Sequence, residues 1–230
     1  MLQIEGLVAR QGDFEVSADL SVKTGARVAV IGPSGGGKST LMGAVCGFVP
    51  IARGRVLLEG QDMTRQPPNN RGIATLFQDG NLFPHLTIAQ NVGLGLRPVL
   101  NLTSAEHQKV ATALDRVGLS GMADRRPADL SGGQQSRAAL ARALIMSRPW
   151  LMLDEPFAAL GPALRAEMLD VLSDILDQTG AGLLMITHAP EDAQRIAPQT
   201  ILVVEGKAHP PQDTDGLFAD PPKALRNYLG

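Results

Sequence analysis

Aromatic rings, cysteine and an excess of either charge are all scarce in this sequence. Aromatic residues make up 3% of 230 positions, as six Phe, one Trp and one Tyr. That is too few for a surface on which successive bases stack. Lysine and arginine number 21 against 23 acids, a formal net charge of −2. With no basic excess to neutralise phosphates, no nucleic-acid partner is expected. The single cysteine, Cys46, allows no intrachain disulfide and fits a reducing compartment, as a small buried residue on a helix. No apolar run approaches the ~20 residues of a membrane span. Met1-Leu2-Gln3-Ile4-Glu5 lacks the charged-then-apolar pattern of a secretory signal. If the protein serves a membrane, the expectation is that it does so through a partner.

What remains is an ordinary globular composition, 44% hydrophobic and 19% charged. Phe14, Val16, Ala18, Leu20 and Val22 alternate with polar residues, the pattern of a half-buried strand. Arg27-Val28-Ala29-Val30-Ile31 is a short apolar run ending at Gly32, a central strand by pattern. A helix is predicted over residues 39–49, stopped by Pro50, with strands over 54–60 and 72–77. Residues 87–96, 104–117 and 131–147 are helical in period, the second starting near Ser104. Strand, helix and strand return over 151–153, 162–178 and 183–186, then a hairpin turning at Glu205-Gly206 and a terminal helix over 223–229. Strands alternating with helices predict an α/β fold with a mostly parallel sheet covered on both faces. The middle block reads as an insertion, giving a core of residues 1–80 and 149–230 and a helical subdomain of 81–148.

Gly32-Pro33-Ser34-Gly35-Gly36-Gly37-Lys38-Ser39 fits G-x-x-x-x-G-K-[ST] between a predicted strand and helix. A chance match is on the order of one window in ten thousand, given glycine's abundance. Glycines let backbone N–H groups approach phosphate oxygens, and the new helix turns its positive end to the same anion. Lys38 suits the β- and γ-phosphates, the Ser39 hydroxyl suits Mg²⁺, and Thr40 adds a hydroxyl near the α-phosphate. Asp154 and Glu155 close the apolar run Leu151-Met152-Leu153, at the sheet edge where open α/β sheets bind ligands. Asp154 suits the metal shell, and Glu155 suits a base that polarises an attacking water. His188 follows the next apolar strand and reaches the same edge, although a lone histidine there is often only an exposed polar residue. Ser131, an N-cap, with Gly132, Gly133 and Gln134 opens another helix suited to an anion. Two anion sites for one nucleotide suggest that a second molecule supplies the missing wall.

Phosphate loop, Gln78, Leu130-Ser131-Gly132-Gly133-Gln134, Leu151-Met152-Leu153-Asp154-Glu155-Pro156 and His188, in this order, resemble the ATPase subunits of ATP-binding-cassette transporters. The resemblance spans nearly the whole chain. It implies a P-loop core with an N-terminal antiparallel β portion and an inserted helical subdomain. It further implies a head-to-tail dimer in which Ser131 and Gly133 of one subunit clamp a γ-phosphate held by Lys38 of the other, with two ATP and their Mg²⁺ enclosed. Gln78 would sense Mg²⁺ and join core to insertion, and residues 81–96 would dock transmembrane permease subunits, with a periplasmic solute-binding protein involved indirectly. The chain would then sit on the cytoplasmic face of a bacterial inner membrane. Leu82-Phe83-Pro84-His85-Leu86-Thr87 recurs among importer ATPases. Its continuation Ala89-Gln90-Asn91-Val92-Gly93-Leu94-Gly95-Leu96 resembles those of thiamine, or thiamine phosphate, importers. Other small-solute or ion importers stay open, as does a soluble cassette ATPase outside transport.

Three positions depart from the family pattern. No aromatic stands near position 11 to stack on adenine, and Phe14 is the nearest substitute. Gly161 replaces an acid that caps the following helix and reaches across the dimer in relatives. Ser136 stands where glutamine is common.

Overall fold

Strand β3 (Arg27–Ile31) explains the architecture, because every other residue in it faces a different core. Val28 and Val30 pack into one apolar cluster, Ala29 and Ile31 into another. Strands β7 (Trp150–Asp154) and β8 (Gly182–Ile186) divide in the same way, Leu153 and Met185 going to one side, Met152 and Leu184 to the other. A strand buried on both faces has no polar alternation to show, which is why these runs are continuously apolar. The computed structural model describes residues 1–77 and 82–229.

Around β3 lie β8 and β9 (Gln199–Val204), both parallel to it, and β8 continues in parallel to β7 and then β6 (Ile73–Leu76). The carboxyl ends of all five strands therefore meet at one edge. β10 (Lys207–Ala208) pairs antiparallel with β9 and parallel with β2 (Phe14–Val22), joining this sheet to an antiparallel portion. That portion holds β1 (Leu2–Gln11), β2, β4 (Ile51–Leu58) and β5 (Gln61–Asp62). β11 (Gln212–Asp213) adds to β9. The fold is α/β with a mixed, mostly parallel core sheet and an N-terminal antiparallel region.

Helix α1 (Lys38–Cys46) lies on the face that carries Val28 and Val30. On the opposite face lie α2 (Ile88–Gly93), α3 (Ser104–Arg116), α4 (Gly132–Ile145), α5 (Pro162–Thr179) and α6 (Pro190–Ile196). Helices α2, α3 and α4 fall between β6 and β7 in sequence, while those two strands pair directly, Ile73 opposite Trp150. The chain closes with α7 (Thr214–Ala219) and α8 (Lys223–Leu229).

Several boundaries differ from expectation. Helix α1 stops at Cys46, not at Pro50, because Gly47 takes a left-handed conformation (φ 88°) and returns its N–H to Ala44 and Gly43. Without that early stop β4 could not begin at Ile51, three residues ahead of the expected strand. Helix α3 starts at Ser104 as expected, with Thr103 as its N-cap: the Thr103 hydroxyl accepts from the Glu106 N–H while the Glu106 carboxylate accepts from the Thr103 N–H. Helix α2 is shorter than the period over 87–96 implies, starting after a Thr87–Gln90 capping box and ending at Gly93.

Candidate functional site

The loop between β3 and α1 is shaped by close backbone approach. A Cβ on Gly32 (φ 155°) would lie 1.9 Å from the Val203 carbonyl oxygen, so no other residue fits without moving β9. Gly36 is pinned on both sides, donating to Pro33 O and accepting from Gly206 N, each at 3.0 Å. Gly37 is the N-cap of α1 with φ 106° and no side-chain cap. The first-turn amides of α1 thus have no side-chain cap among the described residues, and their dipole faces the loop.

Lys38 is 6% exposed, and its Nζ donates to Gly32 O at 2.7 Å and Pro33 O at 3.0 Å. Burial pushes its pKa down, and the charges of Glu155 and Asp154 pull it back up. A cavity of about 600 Å³ opens over the loop, lined by Ser34, Gly35, Gly37, Lys38, Ser39 and Thr40, with Glu155 and His188 opposite and Gln11 and Phe14 at the side. Thr40 Oγ1 donates to Gln11 Oε1 at 3.1 Å, tying the β1–β2 hairpin to the start of α1. Phe14 lies against the loop, since a Cβ on Gly37 would come within 3.0 Å of its ring.

At the end of β7 the two acids part company. Asp154 is buried, hydrogen-bonded by Ser39, and burial pushes its pKa up, with Glu155 adding to the rise. Its Oδ1 is buried with no hydrogen-bond partner among the described residues. An orphaned carboxylate oxygen beside a serine hydroxyl is a fitting pair of donors for Mg²⁺, an ion that keeps most of its shell for water and phosphate. Glu155 is in the left-handed region (φ 49°), uncommon for a residue with a side chain. Its N–H is held by Ile186 O at 3.0 Å, and its Oε1 lies 2.5 Å from His188 Nε2. β7 thus delivers one acid to the loop and the turn after it delivers the other to His188.

Ser131, Gly132, Gly133 and Gln134 do not line this cavity. Ser131 caps α4 and forms a closed box: its Oγ accepts from Gln134 N at 3.3 Å and its N–H donates to Gln134 Oε1 at 2.9 Å. The turn rests on the segment that follows Glu155, where a Cβ on Gly133 would come within 2.7 Å of the Leu160 side chain. Gly161 ends that segment as the N-cap of α5, with open space where a side chain would begin. Gln78, with Asn81 at the start of the expected docking run, lies outside the described residues. Within that run, Leu86 is buried and Leu82 packs against the core, whereas Phe83 is 45% exposed with its ring 6.1 Å from that of His85.

Sequence reasoning missed Asn91. It is fully buried on α2, accepts from Phe83 N at 2.7 Å and donates to the carbonyls of Phe83, Leu86 and Thr87. One amide thereby shapes the turn that presents Phe83 and His85. Arg71 was missed too: buried, it donates to Ala44 O and Val45 O at the end of α1 and to Thr64 O and Gln66 O. Asn91 is a polar residue on the buried side of a short helix and Arg71 lies in the turn before β6, so neither carried a functional signal in sequence.

The family model described as "ABC transporter" matches residues 16–158. Among curated proteins, the thiamine import ATP-binding protein ThiQ of Cereibacter sphaeroides is 57% identical over 230 residues, covering all of both chains. The protein of the same name from Ruegeria sp. is 56% identical over the same span, and that from Yersinia pseudotuberculosis 45%, covering 97% of its length. Among solved structures, a dimeric post-hydrolysis state of the ATP-binding cassette MJ0796 bound to ADP and Pi superimposes with a TM-score of 0.83. It is 25% identical, and the match covers 93% of this chain and 99% of that one.

Proposed function

This chain belongs to the ABC transporter family, and on that premise we propose that it is the ATP-hydrolysing subunit of a bacterial importer for thiamine or its phosphates. The observation that carries the ATPase reading is the grouping of Lys38, Ser39, Glu155 and His188 around one cavity at the carboxyl edge of the sheet. Lys38 and the uncapped amides of α1 hold the phosphates, and Thr40 contributes near the α-phosphate. Ser39 and Asp154, with Gln78, would hold Mg²⁺, which would neutralise charge on the phosphates. Glu155 orients and deprotonates the attacking water, and His188, touching Glu155, holds that carboxylate in place beside the γ-phosphate.

Ser131, Gly132, Gly133 and Gln134 act on the cavity of a second copy, since within one chain they lie outside it. The dimeric state of the MJ0796 cassette supports this arrangement. Residues 81–148 form the helical arm, whose exposed Phe83 and His85 meet the permease. No described helix is long and apolar enough to cross a membrane, and the chain would associate with one through permease subunits, a solute-binding protein acting from the far side. The solute assignment rests on the full-length relatives named for thiamine import.

Two measurements test the reading. Co-purified with its permease and solute-binding protein in lipid, the complex should hydrolyse ATP faster when thiamine is added, and indifference to thiamine would sink the solute assignment. Glu155→Gln should reduce hydrolysis by about 10²-fold or more while leaving ATP bound in a stable dimer. A Glu155→Gln variant that stays monomeric with ATP and Mg²⁺ would count against the shared site.

A further inference from the structure

Thr187 and Asp192 are buried polar residues outside the phosphate cavity. The Thr187 hydroxyl donates to Asp192 Oδ2 at 2.9 Å and accepts from the Ala189 N–H at 3.1 Å. The Asp192 N–H donates to Ala189 O at 3.2 Å, and the Thr187 N–H reaches Val30 O in β3 at 3.3 Å. These bonds seize the backbone on either side of His188. Helix α6 explains their form. Its N-cap is Ala189, which has no side-chain oxygen, and Asp192 is its third residue. In a capping box the third residue reaches the N-cap N–H directly; here the carboxylate reaches it through the Thr187 hydroxyl.

A capping role alone calls for no burial. Asp192 is nonetheless only 7% exposed, on a surface where acids are seldom hidden unless partnered. It shares a smaller cavity of about 230 Å³ with Arg165, Thr187, His188 and Glu155. Burial pushes its pKa up, opposed by the Thr187 hydrogen bond and by the charge of Arg165. Arg165 stands in the first turn of α5, donates weakly to Leu160 O at 3.4 Å and keeps a buried Nε without a hydrogen-bond partner among the described residues. The Glu155–His188 contact thus borders a small cavity that also takes in this hydrogen-bonded turn and the Arg165 side chain.

We infer that Asp192 is a positioning residue for hydrolysis: acting through Thr187, it fixes the turn that sets His188 against Glu155. The inference rests on the role proposed for His188. A loosened turn would leave ATP binding intact, because Lys38 and α1 are not part of it, and would lower the turnover rate. The prediction therefore falls on kcat and not on KM.

The test is a double-mutant cycle on the full chain, with kcat, KM for ATP and thermal midpoint measured for each variant. Asp192→Ala and Thr187→Val should each lower kcat about ten-fold with KM within about two-fold of the parent. Asp192→Glu, which keeps the charge and can reach the same hydroxyl, should recover most of the loss. In a His188→Ala background, adding Asp192→Ala should change kcat by less than about two-fold. An equal ten-fold loss in that background, or a lowered thermal midpoint with unchanged kcat, overturns the inference. A His188→Ala protein with full kcat would instead overturn the role assigned to His188, and the inference with it.

Discussion

Two helices begin at glycine-rich turns, and they treat their first amides in opposite ways. Helix α1 has Gly37 as its N-cap, with no side-chain acceptor, and a buried lysine beside it. Helix α4 has Ser131 and Gln134 locked in a capping box, with Ser131 and Gly132 exposed. The first is an anion site left open by construction, where a phosphate meets donors that have no competing side chain. In the second, Ser131 Oγ already accepts from the Gln134 N–H, so a phosphate contact at that hydroxyl competes with an existing hydrogen bond. Under the proposed function the two helix starts have separate tasks: α1 would bind nucleotide within one chain, and α4 would act when a second chain brings it to a site already filled.

The contrast can be broken first at the metal pair. Asp154→Asn removes the orphaned buried carboxylate, so hydrolysis should fall by about 10³-fold. The nucleotide-free protein should nonetheless be more stable, because burial disfavours the charge that the substitution deletes. A rise of roughly 2–4 °C in thermal midpoint is expected; a fall would mean that Asp154 is already well compensated. Next, Ser131→Ala should lower hydrolysis about ten-fold and remove about 1 kcal/mol of capping stability, while ATP affinity of the isolated chain, read by fluorescence titration, stays put. Weakened binding by the monomer would erase the division of labour between the helices. The smallest effect belongs to Gly161→Asp. Its Cβ would enter open space at an N-cap already in extended geometry (φ −67°, ψ 160°), so stability should rise by only a few tenths of a kcal/mol. The ATPase rate or its cooperativity should change a few-fold, and identical kinetics would remove any role for this segment in linking the sites.

Much of this was legible before any coordinates. β3 and the residues at the ends of β7 and β8 announce themselves, because strands buried on both faces are apolar throughout and stop abruptly at Gly32, Asp154 and Thr187. Lys38, Ser39, Glu155 and His188 could be named together since parallel strands deliver their carboxyl ends to one edge. Shorter elements gave no such pattern. β5 and β11 are two residues each, and α6 and α7 are too brief to show a helical period. Buried polar residues were the least visible. Arg71 binds backbone that only tertiary folding brings near, while Asn91 and Asp192 bind groups a turn away whose pairing depends on how the loop before each helix bends. The departure at position 11 also changed meaning: Gln11 lines the cavity with Phe14 and grips Thr40, so the hairpin is held to the loop by an amide where an aromatic was missing.

The claim that the working site is shared between two copies is tested most directly by mixing two dead variants. Lys38→Ala spoils the phosphate loop, and Gly133→Asp spoils the helix start offered to the partner. In a mixed dimer one site carries both defects and the other carries neither. Equal mixing should therefore restore roughly a quarter of wild-type sites, with half the dimers mixed and one good site in each. Recovery near that level from two inactive preparations is the predicted result. No recovery, in a sample whose mixed dimers are verified by native mass spectrometry, would contradict the shared site.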